Sequence, residues 1–523
     1  MASSGALTGG AGRFATPDEA AAVFEDGMVV AVTGSGGGIL EADAVFAAIE
    51  RRFLTTGHPR DLTVVHGLGI GDGQATGLNR FAHVGLVKCV IGGHWSWSPA
   101  MQDLAMRGCI EAYSLPAGVI AALLRESGAR RPGLFTKVGL GTFVDPRREG
   151  GRLNAESRQD LVTLVQVDGE EYLHYKPLHV DIGIVRGSSA DAFGNVSAAE
   201  EASILDSRAV ALAARGAGGL VIAQVKHRAE LGEQDPRLVS IPAPMVDVVV
   251  VSPTQWQTYA AEHDPAFNTP APPGWPASTI APPTDGARAI VALRAAMEVV
   301  DGDVVNVGFG MSAGVVDVLS RQGRLHDIQL VIEQGAVGGS PESGDLFGLS
   351  RHPSALMDSL TQFDFFATGM IDVAILGMGE TDRAGNVNVS KLGPATVGPG
   401  GFIDIVHSAS RLVFCGTFTA RGLSVATEGG TLRILREGSV HKFVDHVSQV
   451  TFDAAGSPAR NQTALYITER AVFELGPDGL TLREVAPGID IERDILRHMD
   501  FVPRMDGVRT MPAAIFEGDH QPV

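Results

Sequence analysis

Residues 300–323 read VDGDVVNVGFGMSAGVVDVLSRQG, and residues 25–38 read EDGMVVAVTGSGGG. Both begin with an Asp-Gly turn and continue into a valine-rich run that predicts a buried strand. Both then pass through clustered glycines into apolar positions at helical spacing. In the first copy the strand is Met28–Val32, the turn holds Gly34, Gly36, Gly37 and Gly38, and the helix covers residues 41–53 through Ala44, Val45, Ala48, Ile49 and Phe53. DLTVVHGLGIGDG, from Asp61, supplies the next strand and a second glycine loop. Strand, glycine turn, helix and strand make a βαβ unit, and repeated units imply a parallel sheet.

Working outward, further strand-like runs lie at Lys88–Ile91, His179–Val185, Gly219–Val225 and Val246–Val251, with a helical pattern over Ala198–Arg215. A second echo links DIGIVRGSSADAFGNV, from Asp181, to DVAILGMGETDRAGNV, from Asp372, with Asp and Gly-Asn-Val equally spaced in both. Two echoes in the same order predict two halves of common fold; the period is too long for a solenoid. Between them, HDPAFNTPAPPGWPASTIAPPTDG, from His263, is dense in proline and has no periodic apolar face, as a linker would be. The expected plan is a tail over 1–17, a first domain over 18–262, a linker over 263–287 and a second domain over 288–523. The fold class is α/β: two homologous open domains with mostly parallel sheets and a site at their interface. Strand patterns in HKFVDHVSQVTF, ALYITERAVFEL and GLTLREV finish the second domain.

Composition narrows the function. At 523 residues the chain exceeds one core. Its formal charge of −19 argues against nucleic acid or an anionic membrane as partner. No apolar run approaches the roughly 18 residues of a membrane span, and MASSGALTGGAGRFATPDEA lacks the apolar core of a secretory signal. Cys89, Cys109 and Cys415 are scattered, so neither a disulfide framework nor a zinc set is expected, and a reducing cytoplasm is the default.

The chemistry concentrates in LVIEQGAVGGSPESG, residues 330–344. Glu333 stands at the end of a predicted strand and before a loop with Gly335, Gly338, Gly339 and Gly344. A rigid element holds the carboxylate, and glycine backbone lets a ligand approach. In the first half the matching strand, LTVVHG, ends in His66, so only the second half carries a carboxylate there. His83 and His94 lack partners at metal-ligand spacing and are read as structural; no metal is expected. Trp95 and Trp97 are read as core packing ahead of a pocket wall. A dinucleotide reading also exists, because Gly308, Gly310 and Gly314 follow a strand and Glu333 ends the next one. The spacing is GxGxxxG, however, and a ribose-binding acid needs no glycine loop after it.

The chain resembles the family I coenzyme A-transferases of the single-chain acetate/propionate type. The likeness is carried by GSGGGILEA from Gly34, GLVKCVIGGHWSWSP from Gly85, VGLGTFVDPRREGGRLN from Val138, IEQGAVGG from Ile332, SLTQFDFFATGMIDVAILG from Ser359, DRAGNVNVSK from Asp382, GGFIDI from Gly400, YITERAVFEL from Tyr466 and EVAPGIDIERDIL from Glu484. The resemblance implies that Glu333 attacks an acyl-CoA thioester, giving an anhydride and then a glutamyl-CoA thioester, with ping-pong kinetics. It implies oxyanion-binding amides at Gly400, Gly401 and Phe402. It implies a CoA-binding surface at Gly308, Phe309, Gly310, Met311 and Ser312. Asn386 is open between lining the site and being the left-handed residue of a turn. No cofactor is bound permanently; coenzyme A is substrate and covalent intermediate. The partners are acyl-CoA and a carboxylic acid such as acetate, and a homo-oligomer is expected.

One position departs from the family. Where relatives typically read LPQG, this chain reads SLPAG, with Ala117 in place of a glutamine regarded as an oxyanion donor. Loss of one such donor typically costs about 10²–10³ in rate. Hydrolysis of an acyl-CoA, or ring-opening of a cyclic one, therefore stands as the alternative activity. A non-catalytic CoA- or nucleotide-binding protein on the same fold is the third. Substrate identity is not readable from residue order.

Overall fold

The computed structural model describes residues 13–272 and 286–517. Most of the proline-rich linker, 273–285, and the first twelve residues of the expected tail lie outside the described residues.

The first half is built on eight strands: β1 (Arg13–Ala15), β2 (Val29–Val32), β3 (Leu62–His66), β4 (Val87–Gly92), β5 (Glu111–Ser114), β6 (Ile182–Ala190), β7 (Leu220–Arg228) and β8 (Val248–Val251). They lie in the order β1-β8-β7-β6-β2-β3-β4-β5, every neighbouring pair parallel. Their valine-rich runs are buried on both faces, as helices on both sides of a parallel sheet require. The second half repeats the arrangement with β9 (Val304–Val307), β10 (Gln329–Val331), β11 (Val373–Gly377), β12 (Arg411–Cys415) and β13 (Thr463–Ile467), all parallel in the order β10-β9-β11-β12-β13. β14 (Ala471–Gly476) and β15 (Gly479–Val485) then add antiparallel, and β16 (Arg504–Thr510) closes the edge parallel to β15. Of the strand patterns expected near the C-terminus, ALYITERAVFEL and GLTLREV thus extend the second sheet, whereas HKFVDHVSQVTF gives only short strands in separate small sheets, Phe443–Val444 pairing with Thr381–Asp382.

The duplication is legible in single hydrogen bonds. The Asp181 carboxylate accepts from the Val29 N–H at 2.8 Å, and the Asp372 carboxylate accepts from the Val304 N–H at 2.8 Å. These bonds tie β2 and β9, the strands that follow the two Asp-Gly turns, to the neighbour that begins each echoed segment. The echoed asparagines are brackets as well. Asn195 donates to Asp191 and accepts from the Ala243 N–H; Asn386 donates to Asp382 and accepts from the Ala454 N–H.

Three expectations need correction. The tail does not run to residue 17, because Arg13–Ala15 pairs with Val248–Val250 and Thr16 forms a capping box with Glu19 on α1 (Pro17–Ala21). The first glycine turn leads into α2 (Asp43–Thr56), which Gly57 ends at φ 74°. The helix read over Ala198–Arg215 starts only at Ser207. Leu205 has φ 47°, which a helix excludes, and Glu201 is drawn inward to Arg186 at 3.0 Å. The start of the expected linker is also not free: Phe267 is buried, Arg351 of the second half lies over its ring, and Asp264 pairs with Arg351 at 2.7 Å.

The halves close on each other through α3 (Ala117–Gly128), which packs onto α6 (Ser359–Ala367) and α7 (Phe402–Ser408); α4 (Ser207–Ala217) supports α3 from behind, and α5 (Gly314–Arg321) flanks the second sheet. One apolar cluster runs across the boundary, joining Leu68, Ala117 and Leu205 to Val331, Phe363 and Phe402.

Candidate active site

The seam is sewn by backbone. The Gly400 N–H donates to the Gly93 carbonyl at 2.8 Å, the Ala117 N–H to the Gly400 carbonyl at 2.9 Å, and the Trp95 N–H to the Val397 carbonyl at 2.8 Å. Such approach demands small residues: a Cβ on Gly93 would lie 3.4 Å from the Ala117 Cα and 1.9 Å from the Gly67 carbonyl oxygen.

Beside this seam opens a cavity of about 370 Å³. Its walls are mostly apolar, with Phe309, Met311, Phe347, Leu376 and Phe402 among them, and its few polar groups include Glu333, His94 and Lys442. An apolar cleft with a few convergent polar groups is the form a small-molecule site takes.

Glu333 follows β10. The strand registers place Gln329 beside Val304 and Thr63 beside Val29, so the counterpart of Glu333 is Gly67, one residue beyond the His66 the sequence paired with it. The first half still lacks a carboxylate at that point. Glu333 is partly exposed to the cavity. One oxygen, Oε2, accepts from the Gly401 N–H at 3.1 Å; Oε1 has only the Gln334 amide at a long 3.5 Å. Burial pushes the carboxyl up to about 7, and the Gly401 bond works against that. Asp404, in the first turn of α7, accepts from the Gly118 N–H at 3.1 Å. Burial raises its carboxyl to about 8, opposed by the Gly118 bond and reinforced by the charge of Glu333.

The expected CoA-binding residues divide. Gly308, Phe309 and Met311 line the cavity. Ser312 is buried with its hydroxyl donating to the Gly308 carbonyl at 2.8 Å, so it holds the turn. Gly310, at φ 89°, gives the turn its shape and is not among the lining residues. Of the expected oxyanion amides, the Gly400 N–H is engaged by Gly93 and the Phe402 N–H by the Pro399 carbonyl, so of the three Gly401 alone donates to Glu333. Asn386 belongs to the bracket with Asp382 and Ala454 and is not among the cavity-lining residues; the left-handed residue of its turn is Gly385, at φ 90°. Trp95 is core, and Trp97 covers Gly36, where a Cβ would lie 2.1 Å from its ring. His83 pairs with Glu50 at 2.9 Å. Among the described residues no cluster of three or more His, Cys, Asp or Glu side chains is arranged to hold a metal ion.

Sequence reasoning read His94 as structural, whereas it lines the cavity, and passed over Asp404 and Lys442. His94 follows a Gly-Gly pair and Asp404 lies in GGFIDI, yet only tertiary proximity singles them out. Lys442 had no signal in HKFVDH. Its ammonium has no hydrogen-bond partner among the described residues, and burial lowers it to about 8 against the attraction of Glu469.

Comparison with known proteins agrees with the geometry. The coenzyme A transferase family matches residues 14–252. Caffeate CoA-transferase of Acetobacterium woodii is 41% identical over 96% of this chain and 97% of its own. The chain belongs to the coenzyme A-transferase family. Acetate CoA-transferase YdiF of Escherichia coli O157:H7 is 39% identical over 93% of this chain and 91% of its own. The crystal structure of the YdiF apoenzyme superposes with a TM-score of 0.93 at 36% identity, covering 99% of this chain and 98% of that one. Another YdiF crystal structure, a thioester complex with CoA, superposes with a TM-score of 0.91 over 98% of each chain. The protein is therefore an enzyme, a CoA-transferase, with the two-domain α/β fold of that family.

Proposed function

We propose that the enzyme moves CoA from a short-chain acyl-CoA to a carboxylic acid such as acetate, by a ping-pong route through a glutamyl-CoA thioester on Glu333. The observation that carries this reading is the division of labour between the two Glu333 oxygens. Oε2 rests on the Gly401 N–H while Oε1 has no strong partner, at a cavity walled by apolar side chains. Oε1 attacks the thioester carbonyl, and the tetrahedral adduct collapses to an acyl-glutamyl anhydride as the C–S bond breaks and CoA leaves as thiolate. The thiolate then attacks the glutamyl carbonyl, whose oxygen is the one Gly401 already holds, so the charge that develops there meets a donor in place; collapse breaks the anhydride bond, releases the first carboxylate and leaves the glutamyl-CoA thioester. The names of two relatives, an acetate and a caffeate CoA-transferase, bracket the acyl group to test.

The test is incubation with acetyl-CoA, propionyl-CoA or caffeoyl-CoA without acceptor, followed by intact mass measurement. A CoA adduct on Glu333, mapped after borohydride reduction or hydroxylamine cleavage and absent from Glu333→Gln, is expected. An equal adduct on the variant refutes the assignment. Parallel-line kinetics with two carboxylates separate transfer from hydrolysis, the reading that Ala117 keeps open; free CoA accumulating in water without acceptor favours hydrolysis.

A further inference from the structure

We propose that the His94 imidazole donates the hydrogen bond that receives the oxyanion when Glu333 attacks the acyl-CoA carbonyl. The inference rests on the reading of Glu333 as nucleophile. It begins from a gap in that mechanism. Two oxyanions form in turn, on different atoms. The one on the glutamyl carbonyl has Gly401. The one on the acyl-CoA carbonyl forms on the far side of the new bond from Oε1, and the backbone donors near it are engaged. The Gly400 N–H goes to Gly93 at 2.8 Å, the Ala117 N–H to Gly400 at 2.9 Å, and the Phe402 N–H to Pro399 at 2.9 Å. Gln334, the long contact of Oε1, is buried and not among the residues lining the cavity.

His94 fills that gap by position. A Cβ built on Gly400 would lie 3.8 Å from Glu333 Oε1 and 3.8 Å from His94 Cδ2, so the bare Cα of Gly400 floors a space with the nucleophile on one side and the imidazole on the other. Both side chains line the cavity. The Nδ1 edge of the ring is turned to Gly69, where a Cβ would stand 2.7 Å from it, which leaves Nε2, next to Cδ2, toward the open side. Among the described residues neither ring nitrogen has a hydrogen-bond partner, and the half-buried ring borders the cavity, so its N–H is free to donate to a ligand there. The loop that carries the ring is fixed on both sides, through the Gly93 carbonyl and the Trp95 N–H, to the segment that bears Gly400.

The chemistry matches a neutral donor. Oε1 adds its electron pair to the carbonyl carbon, and the carbonyl π pair moves onto oxygen. On collapse the C–S bond breaks and its pair leaves with CoA as thiolate. No proton enters or departs, so the site needs a donor and not an acid. Burial, helped by the nearby His66, lowers His94 to about 4, so the ring is neutral at working pH and does not quench Glu333 as a salt bridge.

The experiment is single-turnover formation of the Glu333 adduct from acetyl-CoA in wild type, His94→Ala, His94→Gln and His94→Asn, each first checked for a native thermal melt. The alanine variant is expected to slow adduct formation by about 10²–10³-fold, the value of one oxyanion donor, with the acyl-CoA half-saturation concentration changed less than about threefold. A glutamine amide reaches the place of Nε2 and an asparagine amide that of Nδ1. His94→Gln is therefore expected to regain at least about tenfold over alanine, and His94→Asn is not. Alanine within about threefold of wild type, or glutamine no faster than alanine, overturns the proposal. The reading it rests on fails separately: wild type would then form no adduct, whereas a slow adduct reaching full occupancy in His94→Ala upholds Glu333 as nucleophile.

Discussion

Glu333→Gln should make the protein more stable, and only above a certain pH. Burial raises the Glu333 carboxyl from 4.5 to about 7. Between those values the native state holds a proton that the unfolded chain has released. Stability therefore falls as pH rises through that window, and the whole cost is present above pH 7. Moving a carboxyl from 4.5 to about 7 corresponds to roughly 3 kcal/mol. Glu333 faces a cavity that water can enter, so about 2 kcal/mol is the better expectation. Glutamine keeps the shape, and its carbonyl oxygen can still accept from Gly401. The assay is urea unfolding of wild type and variant at pH 4.5 and at pH 8, followed by a probe in the second half so that its transition is read by itself. The expected gain is about 2 kcal/mol at pH 8 and close to none at pH 4.5. Equal stabilities at pH 8 would show that the carboxylate is not held at a cost. An equal gain at both pH values would show that packing, not charge, is responsible.

Other perturbations probe the same site. Gly401→Ala places a Cβ 2.3 Å from Glu333 Oε2 and 3.0 Å from the Phe363 ring, at a φ of −85° that alanine tolerates; adduct formation should fall by at least about 10²-fold while melting changes little. Gly400→Ala meets nothing closer than 3.8 Å but sits at φ 52°, so it should cost about 1 kcal/mol of stability and less activity than Gly401→Ala; the reverse ranking of activities would refute the steric argument. Lys442→Met should raise stability near pH 7 by about 2–3 kcal/mol and lose that advantage by pH 10.5, because the native state alone has released its proton between about 8 and 10.5. A loss of kcat/KM should accompany it, since the ammonium faces the cavity; a destabilised variant would mean that the lysine is well paired. Ala117→Gln should raise turnover with acetate as acceptor, by at most the roughly 10²-fold worth of one donor. A fall would mean that the space beside Gly400 serves the substrate.

What could be read in the sequence and what could not divide along one physical line. Strands, glycine turns and the duplicated order depend on neighbours in the chain, and EDGMVV and VDGDVV announce them. Even Asp181 and Asp372, found as spacing alone, prove to make the same bond to equivalent strands, β2 and β9. Roles that depend on partners far along the chain were hidden. The Gly400 amide looked free for an oxyanion because nothing in GGFIDI reveals that Gly93 takes it. Asn386 looked like a site residue because it recurs, and it recurs because both halves need the same bracket. Pairing His66 with Glu333 was one residue off, since strand ends in a sequence do not state their register.

The corrected register says something about how a duplicated fold becomes an active site. At equivalent strand ends one copy places Glu333 and the other Gly67. A second carboxylate there would not find room: a Cβ on Gly67 would already lie 3.2 Å from Asp206 Oδ2 and 3.6 Å from the Ala117 carbonyl. Asp206 is itself pushed up to about 6 by burial, with a bond from Thr33 working against that, so another buried acid beside it would be costly to ionise. The first copy instead brings close backbone, through Gly93 and Ala117, and the His94 ring. The asymmetry is what the proposed mechanism asks for, because in it one nucleophile faces a donor across the reacting carbon, and two identical halves would set carboxylate against carboxylate.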